Sequence, residues 1–379
     1  MSLALDEHRQ FLADSARLTG FEAALSEVVR PDAVVLDLGA GTGILGLLAC
    51  RAGARRVYAV DAGGMIQVAR ELSRANGFAD RIVHLNGLST HITLPEPVDV
   101  VVADQIGCFG FEAGVIEYFA DARRRLMKPD GRLVPSAITF WIAPVEAPEI
   151  RDRIAFWTRP QRGFDLTAAL PAAMNTEYPM KLRSEQLLGE PAEIGRIELT
   201  ADSERRLVNR VTTTIEKKGT LHGIGGWFCA QLSDSVTLTN SPRAAQSIDR
   251  RNVIFPIAEP VTIGPGDRVS VTMNILASDA QVAWRVDVTS SDGQSMRTFS
   301  HSTWRGMLLC PEDLRRLRPD HVPTLSPWGL ARRSVLELCD GGHSTADIEA
   351  SVFVRHRDLF HSAADAARFV AEVLIGFSE

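Results

Sequence analysis

Cysteine is scarce in this sequence: five in 379 residues, at Cys50, Cys108, Cys229, Cys310 and Cys339. Their spacing shows no pairs, which excludes a disulfide framework and a zinc pattern and fits reduced thiols in a cytoplasm. Nowhere do eighteen apolar residues run together, so no membrane span is expected. Positive charge is short as well: 41 Lys and Arg against 47 Asp and Glu leave a formal net charge of −6. That balance argues against a nucleic-acid binder working through a basic surface. The first ten residues, MSLALDEHRQ, carry charges where a signal peptide needs an apolar core. Internal repeats and low-complexity tracts are missing. What is there is the composition of a globular protein, long enough for two or three domains.

Apolar residues recur at helical spacing from Leu5 to Val29, and Pro31 closes that helix. From residue 31 to 143 strands and helices alternate, beginning with VVLDL, ILGLLACRA, RVYAVD and MIQVARELSRANG. Fully apolar strands in such alternation predict a parallel sheet covered on both faces. After Pro144 the runs become β-branched and alternating, bounded by Gly, Pro and Asp, which predicts an antiparallel β domain over 144–311. A helical, proline-containing excursion lies at about 157–189. From 312 to 379 three helical patterns follow, SVLELCD, TADIEASVFVRH and AADAARFVAEVLIGF.

The first strand runs into VLDLGAGTG, where Gly39, Gly41 and Gly43 remove the Cβ atoms that keep a ligand off the backbone. Asp37 sits inside that strand. Asp61 ends the next one, about twenty residues past the glycines, where a carboxylate accepts two hydrogen bonds from a ribose diol. The loop lacks the third glycine of the pyrophosphate-binding spacing. A ligand with ribose and no phosphate fits better, and S-adenosylmethionine (SAM) is the obvious one.

At this point the chain resembles the protein arginine methyltransferases. The resemblance is carried by VLDLGAGTGILGLLACRAGARRVYAVD, ANGFADRIVHLNG and LMKPDGRLVPSAITFWIAPVE, then by GFDLTAALPAAMNTEYP, GTLHGIGGWFCAQL, VTLTNSPR and EPVTIGPGD. It spans roughly residues 9 to 290. It implies a Rossmann-like SAM domain, a β-barrel, and a helical arm near residues 163–165 that joins two subunits head to tail. Arg17 matches the family arginine that pairs with the cofactor's carboxylate. The cofactor contacts implied are Arg17, Asp37, Gly39, Gly41, Gly43, Asp61, Ala62, Leu88, Ser89 and Asp104, with S-adenosylhomocysteine as product.

The sequence departs from the family around the acceptor. The family holds a guanidinium between two glutamates after the fourth strand, where this chain reads ADQIGCFGFEAG. Asp104 replaces the first glutamate, and Glu112 stands near the second after a one-residue deletion. Ser89 and Thr90 replace apolar and acidic residues of the adenine segment. Counting back from EPVTIGPGD puts Ile248, Asp249 and Arg250 on the family's Thr-His-Trp segment. The tyrosine-rich helix that caps the cofactor has no evident counterpart. A shortened clamp suits an ammonium better than a planar guanidinium, so Asp104, Glu112 and Asp249 are expected to hold and deprotonate an amine. His222 reads as a buried structural histidine, and His301 and Trp304 fall beyond the matched region.

The last seventy residues resemble PqqD-type winged-helix domains, which grip a leader peptide as an added strand. The expectation is therefore a SAM-dependent N-methyltransferase acting on an amine of a ribosomally made peptide, as a homodimer in the cytoplasm, with a leader held by residues 312–379. The alternatives are a protein arginine methyltransferase, a non-catalytic SAM- and peptide-binding scaffold, and a small-molecule methyltransferase. The plainer reading of the last helices is a cap that stabilises the dimer or covers the barrel. No nucleic acid, membrane or metal enters the reading.

Overall fold

The computed structural model describes residues 4–200, 206–308 and 310–378. The chain divides into two compact units, Met1–Met307 and Leu308–Glu379. In the first unit the predicted N-terminal helix is two helices, α1 (Ala4–Ala13) and α2 (Ser15–Val28). The break falls at Asp14, whose side chain leaves the helical register and accepts the Arg17 backbone N–H at 3.1 Å as an N-cap.

Five parallel strands follow: β1 (Val34–Leu38), β2 (Arg56–Asp61), β3 (Ile82–Asn86), β4 (Val98–Ala103) and β5 (Met127–Val134). Helices α3 (Ile44–Arg51), α4 (Met65–Ala75) and α5 (Val115–Arg125) connect them. The order is β3-β2-β1-β4-β5, so the chain reverses direction across the sheet between β1 and β4. Every residue of β1 is buried, as a strand with helices on both faces must be. A crevice opens at the carboxyl ends of strands at such a switch point. Asp37 is on β1, Asp61 ends β2 and Asp104 directly follows β4, so topology alone brings three carboxylates towards that crevice.

The segment RLVPSAITFWIA is split between two sheets. Pro135 breaks the ladder, ending β5 in the parallel sheet before β6 (Ala137–Val145) starts the antiparallel one. That second sheet takes β6, β7 (Tyr178–Met180), β8 (Ala192–Glu198), β10 (Gly219–Gln231), β11 (Thr237–Thr239) and β12 (Asn252–Ile263). A further antiparallel sheet holds β9 (Arg206–Thr214), β13 (Arg268–Leu276), β14 (Gln281–Thr289) and β15 (Ser295–Ser302). Their inward faces share one apolar core with the parallel sheet, through residues such as Phe140, Phe228, Phe255 and Trp284. This is the α/β architecture with a barrel-like β domain that the sequence implied. Between β6 and β7 runs the excursion, with α6 (Pro148–Ala155) and α7 (Leu170–Met174).

In the second unit, α8 (Pro327–Glu337), α9 (Thr345–Arg355) and α10 (Ala363–Phe377) enclose their own core of Val335, Ile348, Val352, Phe360, Ala366, Val370 and Val373. Ser326, Ser344 and Ser362 cap the three helices, each accepting a backbone N–H from the first turn. Among the described residues of this unit there is no strand. The sheet edge expected for gripping a leader peptide as an added strand is therefore missing.

Candidate active site

Two cavities meet at Gly39 and Gln105, which line both. One, of about 170 Å³, is lined by Asp61, Ala62, Leu88, Ser89 and Tyr118 among others. The other, of about 160 Å³, is lined by Gly39, Gly41, Arg17, Asp104, Arg250 and residues of α1. Of the residues expected from the sequence, Arg17, Gly39, Gly41, Asp61, Ala62, Leu88, Ser89 and Asp104 line one or other of these cavities, and the second of the two carries the charged groups Arg17, Asp104 and Arg250.

The glycines divide their labour. Gly39 has φ +65° and Gly41 φ +54°, conformations an L side chain resists, and any Cβ there would strike the Gln105 amide or the His8 ring. Gly43 lines neither cavity. A Cβ on it would press on Ala69 of α4 at 3.1 Å, so it serves the turn and helix packing. The Asp61 carboxylate is fixed by the N–H groups of Gly41 at 2.8 Å and Gly63 at 2.7 Å. Each oxygen keeps a lone pair for a ribose hydroxyl. Asp37 lies behind the loop, fully buried. Its Oδ2 accepts the Gly46 N–H at 2.9 Å and its Oδ1 has no partner. Burial pushes its pKa up to about 7, against the opposing pull of that N–H and of Arg17.

At the charged end, Asp104 Oδ2 accepts from two arginines: Arg17 Nε, and Arg250 Nη2 at 2.8 Å. Burial disfavours the Asp104 charge, but Arg250 and then Arg17 outweigh it and hold the carboxyl below its usual range. Burial likewise works against the Arg250 cation, and Asp104 more than offsets it, raising that pKa. Arg17 is braced further by the Phe11 carbonyl at 3.3 Å and lies over the rings of Phe11 and Phe21. Asp104 Oδ1 and Arg250 Nη1 are buried without partners.

Two expected acceptor residues are elsewhere. Glu112 folds back on its own loop, accepting the N–H groups of Phe109 at 2.8 Å, Gly110 at 2.9 Å and Phe111 at 3.1 Å. The loop turns so tightly that its amides converge on that carboxylate, which lines neither cavity. The Asp249 carboxylate points to solvent, 87 % exposed, 3.3 Å from Lys181 Nζ. Only its backbone N–H turns inward, to Asp14 Oδ2 at 2.7 Å. The next residue, Arg250, is the one that enters. His222, read as structural, and His301 and Trp304, set beyond the matched region, lie outside both cavities. His222 Nδ1 accepts the Ala147 N–H at 3.1 Å, His301 stacks on Trp284, and Trp304 is 59 % exposed.

Besides Arg250, sequence reasoning missed several contributors. Helix α1 supplies His8, Phe11 and Leu12 to the cavity lining, so a helix does cover this end without tyrosines. Gln105 lines both cavities, and Tyr118 of α5 lines the one that holds Asp61. Asn240 ties the loop that follows β4 to the one that precedes β12. Its Nδ2 donates to the carbonyls of Cys108 at 2.7 Å and Arg251 at 2.8 Å, while its Oδ1 accepts the Phe228 N–H at 3.0 Å. The Asp104 loop is also pinned by Phe109, whose ring lies 5.2 Å from Phe255 and 5.5 Å from Phe140. Gly226 on β10 makes that possible, since a Cβ there would come within 2.7 Å of the Phe109 ring.

The family model of the ribosomal protein L11 methyltransferase matches residues 22–140, and that of the arginine methyltransferase oligomerization subdomain matches residues 136–289. Protein arginine N-methyltransferase PRMT10 of Oryza sativa subsp. japonica is 29 % identical over 309 residues, covering 72 % of this chain and 81 % of the relative. Protein arginine N-methyltransferase 6 of Xenopus laevis is 28 % identical over 285 residues, covering 69 % and 84 %. Protein arginine N-methyltransferase 2 of Homo sapiens is 31 % identical over 283 residues, covering 69 % and 64 %. Among solved structures, the Trypanosoma brucei PRMT1 enzyme–prozyme heterotetrameric complex with AdoHcy superposes with a TM-score of 0.69 at 22 % identity, covering 78 % of this chain and 97 % of that one. Arabidopsis thaliana protein arginine methyltransferase 10 gives 0.67 at 22 % identity, covering 79 % and 98 %. The likeness to these structures is one of fold.

These findings correct the expected function. The relatives are named for arginine N-methylation, not for methylation of amines on ribosomal peptides. Both family matches end by residue 289, and among the described residues of the second unit there is no strand for a leader to extend.

Proposed function

We infer that this chain, a SAM-dependent methyltransferase similar to the protein arginine N-methyltransferases, methylates guanidinium nitrogens of arginine in proteins. When bound, SAM supplies a methyl group activated by a positively charged sulfur and departs as S-adenosylhomocysteine. The residues present suit it. The bare backbone of Gly39 and Gly41 admits a close ligand, Asp61 suits a ribose diol, and Arg17 suits the amino-acid carboxylate.

The observation that supports arginine most directly is the behaviour of Asp104. It is the one carboxylate among the described residues lining the charged cavity, and it already binds guanidinium groups. Its lowered pKa keeps it an anion, fit to hold and orient a cation but a weak base. On this reading Asp104 aligns the acceptor nitrogen and the final proton passes to water. Alignment supplies most of the rate.

For assembly, we take the excursion at about 157–189 as the arm that meets a second subunit. It lies within the matched oligomerization subdomain and carries Phe164 at 72 % exposure.

The test uses SAM with a labelled methyl group and two peptides that differ only by Arg→Lys. Label on the arginine peptide alone is expected. Equal label on the lysine peptide would refute the assignment.

A further inference from the structure

Any guanidinium entering the charged cavity needs a carboxylate, and Asp104 is the one available there among the described residues. Two arginines of the chain itself already share its Oδ2. Asp104 Oδ1 has no partner, but a bidentate grip on a guanidinium takes both carboxylate oxygens, so a substrate held in that way must displace one of them from Oδ2. Arg17 is the better held. Besides Asp104 it has the Phe11 carbonyl and two aromatic rings within 5.7 Å, and its backbone N–H is tied to the Asp14 cap. The Arg250 side chain has Asp104 and the Phe228 ring, 6.0 Å away, and its Nη1 is buried with no partner. A buried N–H without an acceptor is costly, so the resting position of Arg250 is the weaker of the two.

We propose that Arg250 is a specificity-determining residue: its guanidinium occupies the acceptor place, and a substrate arginine binds only by displacing it. This rests on the arginine reading above. The competition is between like groups for one carboxylate. It raises the concentration of substrate needed and favours peptides whose flanking residues add binding of their own. Charge repulsion between the two guanidinium groups adds to the effect until Arg250 withdraws.

The test compares the wild type with Arg250→Met, which keeps the length and apolar stem without the charge, and Arg250→Lys, which keeps charge without the planar fork. Affinity for an arginine peptide is measured by fluorescence anisotropy on protein loaded with S-adenosylhomocysteine, and KM and kcat are measured for the same peptide. Thermal melting and S-adenosylhomocysteine binding check the fold of each variant. Arg250→Met is expected to bind the peptide about tenfold more tightly and to lower its KM by a similar factor, with Arg250→Lys between the two. Unchanged or weaker peptide affinity in a folded Arg250→Met that still binds S-adenosylhomocysteine would overturn the proposal. Transfer to amine peptides and none to arginine, in wild type and variant alike, would instead refute the arginine reading, and this proposal with it.

Discussion

Asp104 and Arg250 come from different parts of the chain, one at the end of a parallel strand and the other in a loop of the β domain, yet their Oδ2 and Nη2 atoms lie 2.8 Å apart. Both side chains are largely withdrawn from solvent, 9 % and 12 % exposed. Joined by Arg17, the cluster carries two cations on one anion. Its stability depends on the anion.

Removing that anion has a predictable result. Asp104→Asn leaves two buried guanidinium groups without a counter-charge, and breaking a buried pair from one side costs about 3 kcal/mol or more. Adding Arg250→Met to Asp104→Asn removes one orphaned cation and is expected to recover part of the loss. Chemical denaturation of the wild type, the single variant and the double variant measures both. A double variant less stable than Asp104→Asn would contradict the account.

Asp37 makes stability depend on pH. Its carboxyl is raised from 3.8 to about 7 in the folded chain, so between those values the folded state binds more protons than the unfolded state. Its contribution is fully present below about pH 4 and is lost as pH rises through 7, a change of up to about 4 kcal/mol. Asp37→Asn has no such proton to lose. The stability of wild type relative to Asp37→Asn is expected to fall between pH 5 and 7.5, and parallel denaturation profiles would contradict the assignment.

The parallel sheet, its glycine loop and the carboxylates at its strand ends were legible in the sequence because they rest on local rules. A buried strand is apolar throughout, and glycines mark a backbone that must take positive φ. The departures involve longer range. Spacing along the chain suggested Asp249 as the inward residue, but the Asp249 backbone is drawn to Asp14, 235 positions earlier, and this directs Arg250 into the cleft. Glu112 folds onto the amides of its own loop, a local turn that spacing along the chain does not reveal. Cover by α1 is not legible because His8, Phe11 and Leu12, which line the cavity, form no recognisable motif in the sequence. The last helices matched a pattern of helical periodicity and caps, which many small helical units share.

Asn240 is expected to act by position alone. Asn240→Ala removes two donors and one acceptor from a buried junction, costing about 2 kcal/mol or more. The loops bearing Asp104 and Arg250 lose their common tie, so kcat is expected to fall at least tenfold. KM for SAM stays within about twofold, since Asn240 lines neither cavity. Steady-state kinetics with each substrate varied in turn separates the two effects; a rise in the KM for SAM alone would contradict this role.

The arm proposal makes Phe164 an interface residue. Light scattering coupled to gel filtration is expected to find a dimer for the wild type and a monomer for Phe164→Glu at micromolar concentration. Exposure at 72 % in the single chain means that this change leaves the fold intact. A wild-type monomer, or a variant that stays dimeric, would remove Phe164 from any interface.

The most direct measurement incubates the wild type and Asp104→Asn with SAM and an arginine-rich polypeptide, then locates added methyl groups by tandem mass spectrometry. The account predicts mass on guanidinium nitrogens with the wild type, reduced at least a hundredfold in Asp104→Asn while SAM binding, read by calorimetry, persists. Methyl groups on amines, or guanidinium methylation that survives the loss of Asp104, would contradict it.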